Sequence, residues 1–341
     1  MSLHRCATSH RSRLPRCILS RHSSCGVRSP LAWRAELLWP RSLRSYSSDH
    51  GDDPRLKDLG RQIHNEYAAI REHYATPKYP IVLAHGLLGF AELRLAGGWL
   101  PAIHYWRGIT DALKANGIEV ITATVPPSGS IEQRAERLAR GISEVAQDKS
   151  VNIIAHSMGG LDARYMISHL QPKNVDVRSL VTVASPHRGT AFADYVFKEI
   201  GADRLPSIYK LVKGIGMDTG AFEQLTRSYM IEKFNPQTPD DPHVRYFSYG
   251  AMVDQPPLLS PFRHSHGVIS DVEGPNDGLV SVTSSKWGSY KGTLVRVSHL
   301  DLINWTNRVG WTLRKWMGQG PTFNAIAFYL DIADMLAKED L

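Results

Sequence analysis

At 341 residues, with 42% hydrophobic side chains, the chain is long enough to bury a substantial core, and open α/β folds often use this length for one domain. Its formal charge of +7 would suit a nucleic-acid partner, but the distribution of charge excludes that reading. Residues 1–48 hold nine arginines, no lysine and the single acid Glu36, leaving 31 basic and 32 acidic residues for the rest of the chain.

That leader is rich in Arg and Ser and nearly free of acids, the composition of a mitochondrial transit peptide. Residues 1–46 are therefore expected to be a disordered, cleaved presequence, and the product mitochondrial. A secretory signal does not fit, because Arg34-Ala35-Glu36 divides Leu31-Ala32-Trp33 from Leu37-Leu38-Trp39, and Pro40 follows. Arg44-Ser45-Tyr46 before Ser47 resembles the site at which imported precursors are cut. Cys6, Cys17 and Cys25 all lie in the leader, so disulfides and Cys-based metal sites are not expected beyond it. No run approaches the ~18 apolar residues that span a bilayer. The mature product is expected to be soluble or peripheral.

Residues 47–78 are expected to form an N-terminal helical extension, with Leu59, Ile63, Tyr67 and Ile70 at helical spacing and Pro77 and Pro80 as stops. Strand 79–84 then runs into His85-Gly86-Leu87-Leu88-Gly89. A glycine-bearing loop after an early strand can offer backbone N–H groups to an oxyanion, and Leu87 N–H is assigned that role. His85, ending the strand beside the loop, reads as a loop organiser rather than a base. Helix 106–114, strand 119–125 and a capping box at Ser130 and Gln133 opening a helix to about Gln147 follow in order.

The stretch Val151-Asn152-Ile153-Ile154-Ala155-His156-Ser157-Met158-Gly159-Gly160 has a strand running into a serine, and two glycines then open a helix. A serine hydroxyl is a poor nucleophile unless a tight turn holds it beside a base and facing backbone donors. The turn is crowded, so it needs small residues two before and two after the serine, here Ala155 and Gly159. Met158 N–H is the second expected oxyanion donor. Helix 159–170 and strand 179–184 continue the alternation that implies parallel βαβ units. Between about residues 191 and 261 the alternation breaks down, and an insertion of this length beside a site reads as a helical lid. Strand 243–250 within it is expected to return to the sheet.

The remaining chemistry lies late. Asn276-Asp277-Gly278 puts an acid in a tight loop, and strand 292–297 gives Ser298-His299-Leu300-Asp301. Ser157, Asp277 and His299 occur in the chain order of an α/β-hydrolase triad, with Asp271 and Asp301 as rival acids. The C-terminal segment 321–341 is expected to be an amphipathic helix, with Phe323, Ile326, Ala327, Leu330 and Ala333 on one face. That face suits packing on the domain more than docking on a membrane.

These residues, together with Ser185-Pro186-His187-Arg188-Gly189 and Leu161-Asp162-Ala163-Arg164-Tyr165, give the chain a resemblance to the α/β-hydrolase lipases. It is similar to the bacterial true lipases and to fungal mitochondrial triacylglycerol lipases over about residues 79–310. The resemblance implies an α/β-hydrolase fold, a mostly parallel sheet flanked by helices, in a catalytic domain over 79–320 with a lid at about 191–261. It implies Ser157 as nucleophile, Asp277 as acid, His299 as base, and Leu87 and Met158 as oxyanion donors. Its implied substrates are lipid esters, tri- and diacylglycerols above all, with peripheral contact to a membrane or lipid-droplet surface. The bacterial members hold a structural calcium, for which Asp301 matches one ligand; Trp305 replaces an expected amide, so no cofactor is expected. The same triad also serves phospholipases, acyltransferases and thioesterases, and a non-catalytic hydrolase-fold binding protein is the remote alternative.

Overall fold

Runs of β-branched and apolar residues form the strands β1 (Gln62–Ile63), β2 (Ile81–Ala84), β3 (Val120–Ala123), β4 (Ser150–His156), β5 (Asp176–Val183), β6 (Arg245–Met252) and β7 (Ser289–Val295). The computed structural model describes residues 58–87, 105–126, 129–199, 219–256, 260, 262–304 and 323–341. These strands make one parallel sheet in the order β1-β7-β6-β5-β4-β2-β3. From β2 the chain moves outward to β3, then returns to the other side of β2 to lay down β4. That reversal opens a crevice at the carboxyl ends of β2 and β4, where open α/β sheets bind ligands.

Both faces of the sheet are covered, which is why its strands read as nearly continuous apolar runs. Ile81, Leu83, Ile154 and Val181 share one core with helix α1 (Ile109–Ala115). Val82, Ala84, Ile153 and Ala155 point the other way, onto Ala135, Leu138 and Ile142 of α2 (Ile131–Ala146). The capping box forms as its residues require: Ser130 Oγ accepts from Gln133 N–H, and Gln133 Oε1 accepts from Ser130 N–H. Helix α3 (Gly159–Tyr165) follows the serine and widens into a π-turn over Met166–Leu170. Helix α4 (Ala191–Glu199) begins the expected lid and packs on α5 (Arg263–Val272).

One sequence expectation changes. The helical extension is not a helix over the described residues 58–78; it supplies β1 at the sheet edge. Leu59, Ile63 and Tyr67 are buried, but Gly60 sits at φ 60° and the Arg61 carbonyl accepts the N–H of Thr293, so the backbone bonds across the sheet. Ile70, the fourth residue of the supposed stripe, is 53% exposed. Within the segment 191–261, the strand expected to return to the sheet does so as β6, an inner strand.

The C-terminal helix α6 (Ala325–Lys338) buries Ala327, Leu330 and Ala333 as expected, and also Phe328, Tyr329, Ile332 and Leu336. A helix buried this widely is part of the core. At about 2 kcal/mol for each large apolar side chain, freeing it to lie on a membrane would be costly. The leader (1–46), Trp99 and the apolar cluster 208–217 lie outside the described residues.

Candidate active site

The turn after β4 sets the site. Ser157 has φ 57°, left-handed for a residue with a Cβ, and its N–H extends the ladder by donating to the Val183 carbonyl at 2.9 Å. A non-glycine residue in this region carries a strain of about 1–2 kcal/mol. The neighbouring chain lies too close for larger residues. A Cβ on Gly159 would stand 2.7 Å from the Ala84 carbonyl oxygen and 2.8 Å from that of His85. One on Gly160 would stand 2.2 Å from Ser185 Oγ, which explains the packing role of the Ser185-Pro186 turn. One on Gly86 would stand 2.7 Å from Ser157 Cβ and 3.1 Å from its Oγ. The loop after β2 therefore lies directly against the serine side chain.

Leu87 and Met158 follow Gly86 and Ser157 respectively, and among the described residues no backbone carbonyl engages either N–H. Both side chains join one apolar cluster with Leu161, Ala193 and Ala221 beside the serine. Such a surface suits the hydrocarbon part of a substrate.

His85 holds its loop, as its position suggested. Its Nε2 accepts from Val125 N–H at 3.2 Å, which leaves Nδ1–H to donate to the Gly86 carbonyl at 3.0 Å. Burial pushes this imidazole down to about 4, so it stays neutral. Arg134, fully buried on α2, clamps the outside of the loop: it donates to the carbonyls of His85 and Pro126 and pairs with Asp162 of α3 at 2.7 Å.

Asp277 and His299 meet at the ends of the neighbouring segments. His299 Nδ1 lies 2.7 Å from Asp277 Oδ2, and the backbone N–H of His299 donates to the Asp277 carbonyl at 3.0 Å. Both are buried, and the His299 ring lies 4.6 Å from that of His156, the residue before the serine. The rival acids are placed elsewhere. Asp271 is exposed on α5. Asp301 turns Oδ2 to the N–H and Oγ of Ser298, at 2.9 and 2.6 Å. Among the described residues no group of three or more His, Cys, Asp or Glu stands together to hold a metal ion.

The start of α4 is tied to the acid's loop. Thr190 Oγ1 donates to the Leu279 carbonyl at 2.8 Å, and Glu273 accepts from both Ala191 N–H, at the start of α4, and Ser281 Oγ. Burial raises the Glu273 carboxyl above its ordinary value, against the pull of these donors.

Sequence reasoning did not single out Tyr105, His156 or Arg134. Tyr105 Oη accepts Gly86 N–H at 3.1 Å and lies 2.6 Å from His156 Nδ1. Only Arg134 left a signal, a cation on the apolar stripe of α2 among Ile131, Ala135, Leu138 and Ile142.

A parallel sheet whose β4 ends in a strained serine turn, with a carboxylate-bound histidine in the turn after β7, defines an α/β-hydrolase. A family model described as a domain of unknown function (DUF7379) matches residues 119–225. The chain is 36% identical over 323 residues to triacylglycerol lipase 2 of Saccharomyces cerevisiae, covering 79% of this chain and 94% of that protein. It is 31% identical over 271 residues to a triacylglycerol lipase of Vibrio cholerae, covering 70% and 83%. Its fold is similar to the crystal structure of Staphylococcus hyicus lipase, with a TM-score of 0.55, 19% identity and coverage of 79% and 98%. The mature lipase BlEst2 of Bacillus licheniformis is similar too, with a TM-score of 0.54, 22% identity and coverage of 74% and 96%. The chain belongs to the triacylglycerol lipase family.

Proposed function

We propose that this protein hydrolyses acylglycerol esters, tri- and diacylglycerols above all, through an acyl-Ser157 intermediate. The observation that carries the reading is the Asp277–His299 pair beside the Ser157 turn, in a chain that belongs to a lipase family. Ser157 Oγ attacks the ester carbonyl while His299 Nε2 takes its proton, and the oxyanion that forms is held by the N–H groups of Leu87 and Met158. Asp277 keeps the Nδ1–H tautomer and stabilises the imidazolium. His299 then gives the proton to the departing glyceride oxygen. Water, deprotonated by the same nitrogen, attacks the acyl-enzyme and releases the fatty acid and free Ser157.

The same reading includes a lid that begins with α4, contact with a membrane or lipid-droplet surface, and catalysis without a metal. Support for the last is that Asp301 Oδ2 is already engaged by Ser298. It also includes mitochondrial targeting by residues 1–46, supported by nine arginines against one acid in the leader.

The test uses the protein from Ser47 onward and its Ser157→Ala variant. Both are assayed on tri-, di- and monoacylglycerols, a phospholipid and an acyl-thioester, with and without chelator. Preference for acylglycerols, lost in the variant and indifferent to chelator, is expected. Activity on phospholipid or thioester alone would overturn the substrate, and no loss in the variant would overturn the nucleophile. Faster turnover of emulsified than of monomeric ester is expected from the lid. A fusion of residues 1–48 to a fluorescent protein should enter mitochondria, and diffuse fluorescence would remove the targeting reading.

A further inference from the structure

We propose that Tyr105 is a positioning residue for the reaction, a single hydroxyl that holds the oxyanion loop, the serine turn and the base in register. The proposal rests on the lipase reading above. The two expected oxyanion donors come from different segments, Leu87 after β2 and Met158 after β4. An oxyanion hole works only if its donors are already spaced for the transition state, so something must fix one segment against the other at their tips, beyond the last ladder bonds.

Tyr105 supplies that link. Its hydroxyl has one proton to give and lone pairs to accept, and both capacities are engaged. It accepts Gly86 N–H at 3.1 Å, one residue before Leu87. It lies 2.6 Å from His156 Nδ1, one residue before Ser157. One hydrogen joins the two groups: the hydroxyl donates to Nδ1 when His156 carries its own proton on Nε2, an atom with no hydrogen-bond partner among the described residues. Burial raises the phenol above its ordinary value and holds His156 neutral, so the hydroxyl keeps its proton and the imidazole carries one. The His156 ring in turn backs the His299 ring at 4.6 Å.

The Tyr105 ring is independently fixed, edge-on to Trp106 at 5.1 Å and tilted against His85 at 5.4 Å. The hydroxyl is therefore aimed by the core and not by the groups it joins. Arg134 performs an outer version of the same task at His85 and Asp162, while Tyr105 holds the Gly86 N–H, beside Leu87, and the His156 ring, two residues before Met158. Tyr105 reaches these groups through Gly86 and His156, and its effect is on their placement.

The experiment compares wild type, Tyr105→Phe, His156→Leu and His156→Asn, with active sites counted by fluorophosphonate labelling. Labelling of the wild type tests the nucleophile separately, so failure of that reading is distinct from failure of this one. Tyr105→Phe should lower kcat per labelled site on a soluble p-nitrophenyl ester by about tenfold or more, as misplacement of oxyanion donors does. KM should stay within about twofold, and affinity for a trifluoromethyl ketone, which forms the tetrahedral oxyanion, should fall in parallel with kcat. A purely structural role would reduce the labelled fraction and leave kcat per site alone. His156→Leu should match Tyr105→Phe, the double variant should lose little more than either, and His156→Asn, whose amide oxygen falls near the Nδ1 position, should recover part of the loss. Unchanged kcat per site and ketone affinity in Tyr105→Phe would overturn the proposal. If that variant does not fold, equal kcat in His156→Leu and His156→Asn would do so.

Discussion

Asp277 divides its carboxylate between His299 and its own loop. Oδ2 lies 2.7 Å from His299 Nδ1, while Oδ1 accepts the N–H groups of Leu279 at 3.0 Å and Val280 at 2.8 Å. In Asp277→Asn the amide oxygen must stay with those two backbone donors, which turns the NH2 toward His299. A donor facing Nδ1 forces the other tautomer and takes the lone pair from Nε2. We therefore expect kcat to fall by about 10³–10⁴-fold, with the thermal midpoint moved by only a few degrees. A loss under tenfold on a soluble ester would remove Asp277 from the triad.

Two glycines of similar appearance in sequence should respond oppositely to alanine. At Gly159 the new methyl would meet backbone, the Ala84 and His85 carbonyls, which cannot turn aside. Gly159→Ala should cost about 3 kcal/mol in urea denaturation and most of the activity. Gly267 lies exposed in α5 with nothing within 4 Å of its Cβ position. Gly267→Ala should stabilise by about 0.5–1 kcal/mol through helix propensity and leave activity intact. Equal effects at the two sites would contradict the crowding at the turn.

The local chemistry of the site was legible because it is written in adjacent residues. The small residues flanking Ser157, the loop glycine Gly86 and the chain order of Ser157, Asp277 and His299 each state a constraint that a short stretch must satisfy. What stayed hidden depends on distant partners. β1 is two residues whose bonds come from β7, over two hundred residues away, and the four-residue spacing of Leu59, Ile63 and Tyr67 fits a helix as well as an extended path. Tyr105 owes its importance to Gly86 and His156, and its sequence neighbours give no sign of either. Helix α5 is polar, with Gly267 at its centre, and only Ser265, His266 and Ile269 turn inward, too few to set a period.

Three imidazoles enclosed by the fold should make stability sensitive to mild acid. Burial lowers His85 to about 4 and holds His156 and His187 well below their ordinary value, with Arg164 and Arg188 adding to the effect at His187. The unfolded chain takes up these protons near pH 6.5 and the folded chain does not, so the unfolded state gains as pH falls. Stability from these groups is complete above pH 6.5 and declines from there toward pH 4, by up to about 4 kcal/mol per pH unit where all three contribute. Urea midpoints at pH 7.5, 6.5 and 5.5 should fall progressively. A flat profile would mean that the folded protein admits these protons.

The buried pair of Arg134 and Asp162 should show the asymmetry of charges held out of water. Arg134 gives Nε to Asp162 Oδ2 at 3.0 Å and a second nitrogen at 2.7 Å, while its remaining donors serve the His85 and Pro126 carbonyls. Asp162 is almost wholly buried and its Oδ1 has no hydrogen-bond partner among the described residues, so the guanidinium is what sustains its charge. Arg134→Met removes the compensation and leaves a buried carboxylate, a change that costs about 3–5 kcal/mol. Replacing both groups, as Arg134→Met with Asp162→Leu, removes the stranded charge and should restore at least half of that stability. Activity should not return with it, because the His85 carbonyl still lacks its clamp and the loop bearing Leu87 is free to shift. Additive losses in stability across the two substitutions would show that the pair does not act as a unit, and full recovery of kcat in the double variant would remove Arg134 from the support of the loop.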